Sequence, residues 1–201
     1  MSDLFGMGSR SAAHVTNARV WDEYARNARR FARPVTDKEF IRRLQAVTND
    51  PFLKGSLKHR QVLCLGSGGG MQSVLYAAAG AHVTVVDTSP EMLALDREVA
   101  TERDLMVTTV EASIDSLEVL APAGFETVIQ PVCTCYVPDV EAVYREVARV
   151  TAPGGVYVSQ HKQPVSLQAS VKPGNLGYFL ETQYHQADPL PPVCGSPHRE
   201  E

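Results

Sequence analysis

The sequence predicts an α/β fold, a doubly wound and mostly parallel sheet with helices on both faces. Three observations point there. Between residues 61 and 160, short runs rich in β-branched residues alternate with segments of helical periodicity. A glycine cluster, Gly66-Ser67-Gly68-Gly69-Gly70, follows the first of those runs and opens onto a helix. The composition, 44% hydrophobic and 21% charged over 201 residues, is that of a globular chain long enough for one domain and short for two.

Taken in order, residues 1–16 are small and polar and predict a mobile lead-in. From Ala18 to Phe31, Trp21, Tyr24, Ala25, Ala28 and Phe31 recur at helical spacing, and Pro34 ends that helix. Thr36 with Glu39 three residues on predicts a capping box, followed by the apolar face Phe40, Ile41, Leu44 and Val47. Gln61–Leu65 is the first strand. Met71–Ala79 is a helix closed by Gly80 at the position after the cap. His82–Val86 is a β-branched strand, and Ser89-Pro90-Glu91 starts a helix that runs to about Glu102, with cap, first-turn proline and an acid at the positive dipole end. Leu105–Val110 and Glu126–Pro131 are strands, Val140–Val150 a helix, and Val156–Gln160 a fifth strand introduced by Pro153-Gly154-Gly155. Right-handed crossovers then put the ligand crevice at the carboxyl ends of the strands.

Charge and cysteine usage narrow the function classes. No apolar run approaches the roughly 20 residues of a membrane span. The start, Met1-Ser-Asp-Leu-Phe, lacks the basic and apolar stretches of a secretory signal, so a cytoplasmic protein is expected. Cys64, Cys133, Cys135 and Cys194 are too unevenly spaced for a disulfide framework. The net charge of −4 conceals an asymmetry: residues 1–60 carry 12 Lys+Arg against 6 Asp+Glu, and the remainder 7 against 17. A basic N-terminal third could face an anion, but no basic cluster is interleaved with aromatics as a nucleic-acid groove requires. Solvated helical surface is the expected explanation.

Glycines at 66, 68 and 70 let the backbone turn sharply out of a strand and approach a ligand closely. A dinucleotide fingerprint wants glycine at its sixth position, where Met71 stands. That favours a nucleoside with an amino-acid tail over a pyrophosphate. Asp87 ends the second strand, 21 residues beyond Gly66, where a carboxylate can accept both hydroxyls of a ribose.

Leu65-Gly66-Ser67-Gly68-Gly69-Gly70, Val85-Val86-Asp87-Thr88-Ser89-Pro90-Glu91-Met92-Leu93, Phe125-Glu126-Thr127-Val128-Ile129 and Pro153-Gly154-Gly155 resemble, in order and spacing over residues 61–161, the class I S-adenosylmethionine-dependent methyltransferases. The resemblance implies S-adenosyl-L-methionine as cofactor. It implies that Gly66 and Gly68, with Ser67 between them, lie under the methionine moiety and that Asp87 holds the ribose. Thr88 and Met92 would border the adenine, Gln130 would face the cofactor, and Tyr24 would sit in a helical lid formed by residues 1–60. Two positions depart from the family pattern. Cys64 stands where an acid usually organises the loop, and Ala112 where an acid often meets the adenine, with Glu111 or Ser113 as substitutes nearby.

Residues 130–139 should line the acceptor side. They lack the Asn-Pro-Pro-aromatic pattern of nucleic-acid nitrogen methylation, and Cys133, Cys135 and His161 do not make a recognisable zinc set, so no metal is expected. His161, at the end of the fifth strand, is the candidate general base, although methyl transfer from an activated sulfonium mainly needs positioning in a dry site. The expected activity is methyl transfer to a small-molecule O, N or S acceptor. The alternatives are a nucleic-acid methyltransferase, with nucleic acid the less favoured partner, and a non-catalytic cofactor-binding module. The core is residues 61–163, and 164–201 a partly irregular tail whose prolines suit a loop, with room for at most one extra strand, near 177–184. The family sheet runs 3-2-1-4-5-7-6. Here the expected order is 3-2-1-4-5 with an incomplete C-terminal end, so that either a second copy covers the open edge in a homodimer or the chain is a truncated form of a longer protein.

Overall fold

The computed structural model describes residues 12–29, 32–33, 36–53, 55–163, 165, 168–170, 174–181 and 183. Helices α1 (Ala12–Arg26) and α2 (Asp37–Thr48) precede β1 (Gln61–Leu65), α3 (Ser73–Ala78), β2 (His82–Asp87), α4 (Pro90–Glu102), β3 (Val107–Glu111), β4 (Phe125–Gln130), α5 (Val140–Val150) and β5 (Thr151–Ser159). The five strands are all parallel in the order β3-β2-β1-β4-β5, as the sequence predicts. Among the described residues no helix is long and apolar enough to cross a membrane.

Side-chain alternation along β1 builds the two layers. Leu63 and Leu65 pack with Val128 and with Val143, Val147 and Val150 of α5 on one face. Val62 and Cys64 pack with Tyr76 of α3, Leu93 of α4 and Val83 and Val85 of β2 on the other. With both faces covered, all ligand-accessible polar chemistry is pushed to the loops at the strand ends.

The expected caps form. Thr36 Oγ1 accepts from the Glu39 N–H, and the Glu39 carboxylate accepts from the Thr36 N–H. Gly80 closes α3 at φ +91°, where the Ala81 N–H reaches back to the Tyr76 carbonyl.

Several boundaries differ from expectation. α1 begins at Ala12, inside the stretch read as a mobile lead-in, because its docking contacts are polar and leave no apolar periodicity to detect. It ends at Arg26, with Ala28 in the left-handed region at φ 45°, while Phe31 and Pro34 lie outside the described residues. β3 starts two residues later than expected, since Leu105 packs beside Val74 and Val99 below the sheet. β5 starts at Thr151: Pro153-Gly154-Gly155 form an irregularity within the strand, where the register shifts between Phe125 and Thr127 of β4. At 177–181 there are only isolated bridges, Ala169 to Leu180 and Gly174 to Gly177, and the remaining tail, including Tyr184 and 186–201, lies outside the described residues.

Candidate functional site

The carboxyl ends of β1, β2 and β4 open into a cavity of about 460 Å³, roofed by α1. Its floor is the glycine loop. Gly66 takes φ +55°, and a Cβ there would lie 2.9 Å from the Cβ of Cys133. A Cβ on Gly68 would lie 2.8 Å from the Cβ of Met92 and 2.9 Å from Asp87 Oδ2. Only bare backbone lets the loop lie this close to the end of β2.

Asp87 stands at the cavity wall, 7% exposed. Its Oδ2 accepts the Gly68 N–H at 3.1 Å and its Oδ1 the Ser89 N–H at 3.0 Å. Burial pushes its carboxyl up to about 6. The backbone N–H groups of Ser89, Gly68 and Thr88 oppose that rise, and the Asp22 carboxylate adds to it. Each carboxylate oxygen keeps lone-pair capacity beyond the one backbone donor it receives. The Ser113 Oγ and Gln72 Oε1 are buried in the same wall and have no partner among the described residues, so they are available to a polar ligand.

The roof is held at several residues along α1. His14 Nε2 lies 2.9 Å from Asp115 Oδ2 beyond β3, and the Asn17 side-chain amide donates to the Tyr136 carbonyl beyond β4. Trp21 meets Tyr136 edge to face at 5.6 Å. Asp22 Oδ1 accepts the Ser89 hydroxyl at 2.6 Å and the Glu91 N–H at 3.3 Å at the start of α4.

Of the residues expected in the site, Gly66, Ser67, Gly68, Asp87, Thr88, Met92 and Ser113 line this one cavity. Tyr24 does not. It meets Trp21 edge to face at 5.4 Å, three residues and about 4.5 Å further along the helix axis. Gln130 is fully buried and accepts the Tyr157 hydroxyl at 2.5 Å, while its successors Pro131, Val132 and Cys133 reach the cavity. His161 is exposed and outside the lining, with Nε2 at 2.8 Å from Ser159 Oγ and Nδ1 at 3.2 Å from Thr134 Oγ1. The structure therefore does not bring the expected base to the cavity.

Sequence reasoning missed His14, Asn17, Trp21 and Arg43 in the lining. It noted Trp21 as part of an apolar stripe, but nothing in 12–17 marks a wall except two polar residues at i and i+3. It also missed Asp96. This carboxylate of α4 accepts the Gly69 N–H at 3.0 Å and the hydroxyl of Ser73, and is itself fully buried.

Comparison with known proteins agrees with the fold. Residues 63–159 match the family described as a methyltransferase domain. The chain is 40% identical over 109 residues to the uncharacterized methyltransferase YbaJ of Bacillus subtilis, covering 54% of this chain and 43% of that protein. It is 34% identical over 113 residues to a ubiquinone biosynthesis O-methyltransferase of Xanthomonas euvesicatoria, covering 56% and 46%. Among solved structures, an S-adenosylmethionine dependent methyltransferase from Mesorhizobium loti superposes with a TM-score of 0.53 at 28% identity, covering 65% of this chain and 61% of that one. The chain spans less than half the length of these two curated relatives.

Proposed function

We propose, from the premise that this chain belongs through residues 63–159 to the class I S-adenosylmethionine-dependent methyltransferases, that it transfers a methyl group from S-adenosyl-L-methionine to an O, N or S atom of a small molecule. One observation carries this: the glycine loop, Asp87 and an apolar, α1-roofed space form a single cavity of about 460 Å³, within the roughly 300–1,000 Å³ usual for small-ligand sites. The residues present fit the cofactor. Gly66 and Gly68 bring bare backbone to the cavity floor, where the methionine end would lie, Asp87 offers acceptors to a ribose, and Thr88, Met92 and Ser113 border the space beside it.

When bound, the cofactor supplies a methyl group on a positively charged sulfur, already activated toward a nucleophile. The chain's contribution is to orient and to exclude water. Trp21, Val132, Tyr136 and Val137 give the same cavity an apolar and aromatic wall, and the acceptor is held against it. The roof supports a small acceptor over a strand of nucleic acid, which would need α1 displaced. His161 is left without a part in the proton transfer, and an acceptor that loses its proton to solvent or is already ionised requires none.

Calorimetry tests the assignment. S-adenosylmethionine and its demethylated product, S-adenosylhomocysteine, are expected to bind, and small-molecule hydroxyls, amines and thiols are to be screened for release of that product. Binding of NADH with neither of these compounds would overturn the assignment, and methylation of RNA or DNA alone would overturn the acceptor class.

A further inference from the structure

Given the part proposed above for the glycine loop, we propose that Asp96 is the positioning residue that holds this loop in its ligand-binding shape and so sets cofactor affinity. Asp96 does not line the cavity. It reaches the loop from behind, from the second turn of α4, and is 0% exposed. Its Oδ2 accepts the Gly69 N–H at 3.0 Å, a donor shared with the Met92 carbonyl at 3.0 Å. Its Oδ1 accepts the hydroxyl of Ser73, the first residue of α3. One carboxylate thus ties together the middle of the loop and the helix that the loop feeds.

A carboxylate at this depth is costly. Among the described residues no lysine or arginine pairs with it, and burial pushes its carboxyl up to about 7 against the bonds from Ser73 and the loop backbone. Its neighbours on the inner side of α4, Met92, Leu93, Val99 and Ala100, are apolar and fill the core without such a cost. What the acid adds is a second acceptor for Gly69 and the tie to Ser73, neither of which an apolar side chain could supply. Cys64 occupies the last inward position of β1 on this face, fully buried, with a thiol pushed far up by burial and further by the nearby Asp96 charge. The strand supplies a neutral thiol, and α4 supplies the carboxyl group that reaches the loop.

The test compares four variants of the full chain by calorimetry with S-adenosylhomocysteine, by thermal melting, and by steady-state kinetics once an acceptor is found. Asp96→Ala is expected to weaken binding about 10–100-fold, by loss of charge-assisted bonds to buried donors, while kcat at saturating cofactor stays within about threefold. Asp96→Asn, which keeps an acceptor for Gly69, is expected to stay within about fivefold of wild type. Cys64→Asp combined with Asp96→Ala returns a carboxylate to the same loop from the strand and is expected to recover at least about half of the lost affinity on a logarithmic scale. Ser73→Ala releases one of the two ties without emptying the core, and an expected loss of about threefold to tenfold keeps the test decisive if Asp96→Ala does not fold. Folded Asp96→Ala, or Ser73→Ala if the former does not fold, binding within twofold of wild type would overturn the role of Asp96. Wild-type protein that binds neither cofactor form would instead overturn the function proposed above, so the two failures are distinct.

Discussion

Asp87 receives backbone N–H groups on both oxygens, from Gly68 and Ser89, and still faces the cavity. A contact from it to a ribose is charge-assisted and largely desolvated, so Asp87→Ala is expected to weaken S-adenosylhomocysteine binding by roughly 2–3 kcal/mol, or about 30–150-fold. Calorimetry on a variant with an unchanged melting profile checks this, and binding within twofold of wild type would reduce Asp87 to a loop acid. Its pH behaviour follows from the carboxyl lying near 6, above the ordinary carboxylate range, because of burial. Only the ionised form offers every lone pair to ribose hydroxyls. Affinity should therefore be level above about pH 6, fall toward tenfold per unit below it, and lose that slope in Asp87→Asn. Stability runs the other way. Asp87 and Asp96, near 6 and 7 in the folded chain against 3.8 ordinarily, hold protons more tightly when folded. Their contribution is greatest below the ordinary value and is lost as pH rises through about 6 to 7. The Tm of the ligand-free protein is expected to fall between pH 5 and 8, and to fall less in Asp96→Asn.

At the scale of elements, α1 is a helix with no fully buried residue, attached through His14, Asn17, Trp21 and Asp22. Removing one attachment should cost little stability and much order. Trp21→Ala is expected to shift Tm by about 2–4 °C, the equivalent of about 1 kcal/mol, while hydrogen exchange quickens throughout α1 and the acceptor KM rises about tenfold. Unaltered exchange would show that the other attachments suffice. The same helix marks the limit of what could be read from sequence. The strands and α4 announce themselves because burial selects β-branched runs and capping selects Ser89-Pro90-Glu91, and Gly66, Gly68 and Asp87 do so because a close backbone approach and a strand-end acid have fixed spacing. α1 docks by hydrogen bonds, which leave no period, so its first turns were hidden and Tyr24 was put where Trp21 stands. Asp96 was hidden too, since one acid within an otherwise mixed helix reads as solvated surface. His161 follows a strand that ends at the site, yet its ring turns to the hydroxyls of Ser159 and Thr134 and to the Tyr144 ring, partners that no sequence spacing marks.

At the scale of the molecule, β5 pairs with β4 on one side, and among the described residues no strand pairs with its other side along the nine residues Thr151–Ser159. Such an edge is a template for another strand, and a second copy is the partner always at hand. Light scattering decides between a second copy over this edge and a truncated chain: about twice the 21.9 kDa chain mass is the outcome expected of edge pairing, and a mass near 21.9 kDa would remove dimerisation through β5 from consideration. The roof and the sheet are joined most closely at Ser89. Its hydroxyl accepts the Met92 N–H that caps α4 and donates to Asp22 of α1. The cap of one helix is therefore also the latch of the other, and the two equilibria share a free energy. By reciprocity, whatever factor closure of α1 adds to the affinity of a ligand that orders the first turn of α4, that ligand adds to the closure of α1. A fluorophore on α1 would then report occupancy of a pocket it never touches.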